Sequence, residues 1–96
     1  MKRIEALWKE HLAAAFPSVC CSEEVDGIDL VMLDADIAGC VSTFLGGRGH
    51  LDDQRMGILQ QCRGELTTVL PRLPTAAREY YLRLQKMADL ALDELK

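Results

Sequence analysis

Three apolar runs at helical spacing, separated by residues that end helices, constrain this 96-residue chain more than any other feature. Leu30, Leu33, Ile37, Cys40, Val41 and Phe44 form the first, which stops at Gly46-Gly47. Leu51, Ile58, Leu59, Cys62, Leu66 and Val69 form the second, which stops at Pro71. Ala77, Tyr80, Tyr81, Leu84, Met87, Ala88, Ala91 and Leu95 form the third. Recurrence at i, i+3, i+4 and i+7 gives a helix one apolar stripe to bury against its neighbours. The pattern predicts an all-α fold.

The remaining signals divide the chain into about four helices. The first is expected over residues 2–16, with Ile4, Leu7, Trp8, His11, Leu12 and Ala15 on one side. Phe16-Pro17 ends it, because the residue before a proline is pushed out of the α region. After a connector over 17–25, Asp26 is placed to cap a second helix over 27–45, with Asp29 near its exposed amides. A competing start at Asp34 leaves residues 28–33 extended, since Ile28, Val31 and Met32 lie off the apolar arc. The third helix, 51–70, opens at Leu51-Asp52-Asp53. The fourth, 75–95, follows Pro71-Arg72-Leu73-Pro74 with Thr75 as its cap. So short a link predicts an antiparallel hairpin of helices three and four. One compact bundle over residues 1–96 is expected, a single domain.

A chain of this size hides only ~60–65% of the surface its unfolded form exposes, which leaves little room for a deep enclosed site. No run approaches the ~18 apolar residues of a membrane span. The basic start Met1-Lys2-Arg3 leads into Glu5, Lys9, Glu10 and His11, which interrupt the apolar stretch a signal peptide needs. The expected setting is therefore cytoplasmic, without a membrane partner. There the four cysteines are expected to be free thiols, Cys40 and Cys62 as small hydrophobes on helix faces. Cys20 and Cys21 are adjacent, too close to bridge each other comfortably. Paired with His11 or His50 they lack the doubled short spacing of zinc sites, so no metal or other cofactor is expected.

Charge is segregated. From Glu10 to Gly47 the chain carries Glu10, Glu23, Glu24, Asp26, Asp29, Asp34 and Asp36 and no lysine or arginine. From Arg48 to Lys86 bases outnumber acids. Either the two halves face each other within one monomer or are simply solvated, or the acidic face docks a basic partner; a net charge of −4, with the bases spread over two helices, disfavours nucleic acid.

Two groups of residues stand out as candidate sites. Asp29 and Asp36, seven apart, stack on one flank of the second helix, Asp34 falls on the opposite flank, and His50 follows the glycine turn. A hard-metal site or a general acid–base pair would use such groups. Helix termini explain acids equally well, and no nucleophile–base order, phosphate loop or paired Glu-x-x-His appears. The second group is Gly57, Gly64, Leu82 and Leu90, glycines and leucines on faces otherwise suited to water. Each mid-helix glycine costs about 1 kcal/mol relative to alanine. Covering them with a second chain gives both residue types a purpose. The expected function is thus a small non-catalytic module acting by protein contact, with itself as a homodimer or with another protein. The alternative is a small metal-binding protein or enzyme built on Asp29, Asp34, Asp36 and His50.

Overall fold

The computed structural model describes residues 2–17 and 24–95. Four helices pack around one apolar core: α1 (Lys2–Ala13), α2 (Leu30–Gly46), α3 (Asp53–Val69) and α4 (Thr75–Glu94). Two two-residue strands, β1 (Glu24–Val25) and β2 (Ile28–Asp29), pair antiparallel before α2, and a 3-10 turn, Leu70–Arg72, follows α3. The all-α fold read from periodicity is correct.

The entry into α2 differs from expectation. Asp26 and Gly27 both have positive φ, 52° and 79°. That pairing lets a two-residue hairpin loop follow the right-handed twist of its strands, and Asp-Gly is among the sequences that favour it. Asp26 is therefore a turn residue and does not cap the helix. Asp29 does: its Oδ1 accepts a hydrogen bond from the Met32 amide at 3.0 Å. The helix begins at Leu30, between the two starts the sequence suggested, and within 28–33 only Ile28 and Asp29 are extended. Arg72 Nε stands 3.0 Å from Asp26 Oδ2, tying the hairpin to the α3–α4 connection through an exposed pair. Such pairs contribute about 0–1 kcal/mol.

Asp52 caps α3, its Oδ1 accepting from the Arg55 amide at 2.8 Å, so Leu51 stays outside the helix. At the other end the chain tightens into the 3-10 turn. Thr75, expected as a cap, is instead the first residue of α4 and follows Pro74 with no side-chain cap. Arg78 braces the turn, donating from Nη2 to the Leu73 carbonyl at 2.9 Å and from Nε at 3.3 Å to the Leu70 carbonyl, which also accepts from the Leu73 amide. Further along, Arg63 Nη1 lies 3.7 Å from Asp89 Oδ1. Falling numbers on α3 meet rising numbers on α4, which is the antiparallel hairpin the short link requires.

Phe44, Leu59, Leu66, Leu84 and Ala88 are completely buried. The whole apolar arc of α2 is buried with them, and so is most of the α4 arc, joined by Leu92 and by Leu73 of the connector. Ile58 is a correction: it is 37% exposed, on the solvent side of α3. α1 departs further. It ends at Ala13 and buries only Ile4 and His11, while Leu12, expected on its inner side, is 65% exposed. The reason is packing: α1 rests chiefly on α4, and a helix with one main neighbour buries a narrow stripe. Cys40 and Cys62 are free and buried; Cys20 and Cys21 lie outside the described residues. Among the described residues no helix is long and apolar enough to cross a membrane.

Candidate functional site

Where α1, α2 and α4 meet, three polar side chains enter an otherwise apolar interior. His11 comes from α1, Asp34 from the second turn of α2 and Tyr80 from α4. His11 is 7% exposed, and its Nε2 stands 3.2 Å from Asp34 Oδ1. The Tyr80 hydroxyl donates to Asp34 Oδ2 at 2.8 Å and lies 3.4 Å from His11 Nε2. Aromatic rings wall the group in. Trp8 stacks on His11 with centroids 5.8 Å apart, and Phe16 meets Tyr80 edge-on at 5.6 Å. One residue along, the Tyr81 hydroxyl donates to the Leu30 carbonyl at 2.8 Å.

Charge in this junction is only partly compensated. Arg83 of α4 reaches Glu10 of α1, Nε to Oε2 at 3.5 Å. His11 Nδ1, Asp34 Oδ1 and Arg83 Nη1 are nonetheless buried without a hydrogen bond. The His11–Asp34 approach is thus an ion-pair distance without hydrogen-bond alignment. Burial holds the His11 imidazole below its ordinary pKa, the Asp34 carboxylate opposes that shift, and the Arg83 guanidinium adds to it. Burial also raises the Tyr80 phenol, helped by its hydrogen bond to Asp34 and the carboxylate's charge. A neutral imidazole and a phenol beside a carboxylate hold protons and orient one another. Together the three side chains join α1, α2 and α4.

The other acidic residues singled out from the sequence lie elsewhere. Asp29 is spent on the α2 cap. Asp36 is exposed beside a depression lined by Gly39, Cys40, Thr43, Arg55 and Ile58. His50 is exposed in the loop before α3. The four do not converge, and the described residues contain no group of three or more His, Cys, Asp or Glu placed to hold a metal ion. Sequence reasoning missed the partnership of Asp34 with His11 and Tyr80. A signal existed: His11 sits in the middle of an apolar arc and Asp34 on an apolar flank. Buried polar groups need partners.

The glycine–leucine group also divides. Gly57 and Gly64 face open space on α3, with no atom beyond the helix's own local backbone within 4 Å of where a Cβ would stand. Leu82 and Leu90 instead border a furrow between α1 and α4. Leu82 shares one depression of about 230 Å³ with Leu7, Glu10, Arg83 and Lys86. Leu90 shares another, of about 360 Å³, with Lys2, Arg3 and Ile4. A third, of about 350 Å³, continues past Glu79 to Ala14, Phe16 and Ala76. The first and third adjoin, sharing Glu79 and Arg83, and the second, which also holds Glu94, lies further along the same α1–α4 seam. Comparison with protein-family models, with curated proteins and with solved structures returns no match.

Proposed function

We propose that this chain is a small non-catalytic helical module that acts through protein contact, associating with itself in the cytoplasm as an accessory or regulatory subunit. The observation that supports this reading is Leu82. It is 36% exposed on α4, on one line with Leu90, in a furrow that two helices share. Apolar area left in water is worth about 25 cal/mol per Å² when a partner covers it. The depressions along the seam are open to solvent and do not enclose a small molecule, which favours a broad contact over a reaction site.

Light scattering across the micromolar range tests the self-association. A dimer mass is expected for the wild type, and a folded monomer for Leu82→Glu, because a charge without a partner is costly in a covered surface. A monomer mass for the wild type at high micromolar concentration overturns self-association. A dimer indifferent to Leu82→Glu removes the seam as the surface.

A further inference from the structure

We infer that the His11 junction is a proton-operated latch: α1 is docked while the imidazole is neutral, and uptake of one proton by His11 releases α1 while α2, α3 and α4 stay packed. The latch operates within one chain, whatever covers the furrow. Hydrogen bonding at the junction assigns the protons. The Tyr80 hydroxyl commits its own to Asp34 Oδ2 at 2.8 Å. His11 Nε2 therefore faces two acceptor oxygens, Asp34 Oδ1 at 3.2 Å and the Tyr80 hydroxyl at 3.4 Å. A neutral imidazole carries one proton, and its place here is Nε2. A second proton can go only to Nδ1, which is buried and has no hydrogen-bond partner. Protonation thus creates a donor without an acceptor, on a ring that is 7% exposed and now charged.

The surroundings do not repay that charge. Burial, the largest effect, opposes it; Asp34 of α2 favours it; Arg83 of α4 opposes it again. On α1 itself Glu10 is turned to Arg83, and Glu79 of α4 shares a depression with Arg83 and Tyr80. Tyr80 stays protonated, its phenol raised by burial and by its bond to Asp34. Release relieves the conflict and breaks little else. α1 buries only Ile4 and His11, and Asp34 and Tyr80 keep their bond when His11 leaves. The other helices hold without α1. α2, α3 and α4 each pack on the other two, and the Tyr81 hydroxyl ties α4 to the Leu30 carbonyl of α2.

Amide hydrogen exchange of the full chain, read helix by helix and corrected for the intrinsic rate, tests the latch. Protection of α1 should lie at least about tenfold below that of the other helices, because α1 opens without them. With the released ring titrating near 6.5 and the docked ring well below, α1 opening should rise about tenfold between about pH 7.5 and 5.5. His11→Gln, whose amide can still donate to Asp34 but cannot titrate, should lose that rise. An α1 protected as well as the other helices, an α1 indifferent to pH, or an equal rise in His11→Gln overturns the latch. If His11→Gln leaves α1 unprotected at both pH values, the ring is read directly. His50→Gln removes the chain's other histidine, which is exposed. The remaining imidazole proton resonance should then titrate below about 6.5, and a midpoint at or above that value overturns the latch.

Discussion

His11 Nε2 and Asp34 Oδ1 stand 3.2 Å apart, joining α1 to α2 although α1 otherwise leans on α4. The imidazole is held below its ordinary pKa, chiefly by burial, so the unfolded chain takes up a proton at a higher pH than the folded one. By linkage, the stability associated with neutral His11 is fully present above the unfolded value of about 6.5. It is lost as pH falls through that value toward the folded pKa. Urea titrations at about pH 7.5 and 5.5 should show a larger loss for the wild type than for His11→Gln, which cannot titrate. Equal losses would place the pH dependence on other groups.

The core of α3 has a direction that two substitutions can read. Leu66 is wholly buried while Ile58, on the same helix, is 37% exposed. Leu66→Ala should cost ~2–5 kcal/mol through lost burial and the cavity left behind. Ile58→Ala should stay near or below about 1 kcal/mol. Equal costs in chemical denaturation would mean that α3 is rotated from this orientation.

The two buried thiols should be inert in the folded protein. Burial, reinforced by Asp36, Glu65 and Cys40, pushes the Cys62 thiol up to about 12, and burial raises Cys40 as well. The thiolate is the reactive form, so both barriers of access and ionisation act together. Alkylation followed by mass spectrometry should label Cys40 and Cys62 only on the timescale of unfolding. Rapid modification of either in native buffer would contradict their placement.

Gly57 and Gly64 give a prediction of opposite sign. A Cβ at either would meet no atom within 4 Å beyond the helix's own local backbone. Alanine should therefore stabilise the helix by up to about 1 kcal/mol at each position, visible as a higher melting temperature. The mass in solution should not change, because neither glycine borders the α1–α4 seam. A variant that melts higher but dissociates would instead put a second chain against α3.

Legibility in the sequence followed how many neighbours each helix has. α2 packs on α3 and α4, and every residue of its apolar arc is buried. Periodicity is informative there because burial covers a wide arc. α1 has one main neighbour, and the same periodic rule swept in Leu12, which faces water. The Asp26-Gly27 turn was written in the chain, but the apolar run of α2 extended back over it and suggested a longer helix. The junction was the least legible part. His11, Asp34 and Tyr80 are far apart in sequence, and spacing within a helix says nothing about which buried polar group on another helix will answer it.

Ile4 and His11, seven positions apart, are the two residues by which α1 is buried. One of them sits in a junction that leaves three buried polar atoms without hydrogen bonds. With Leu7 and Trp8 only partly buried beside them, α1 is expected to open locally at lower free energy than the three other helices. Because α1 supplies one wall of the furrow, a second copy that binds there as proposed would meet a complete surface only while α1 is docked. Its apparent affinity would be the intrinsic affinity reduced by the docked fraction, and its binding would hold the first helix in place.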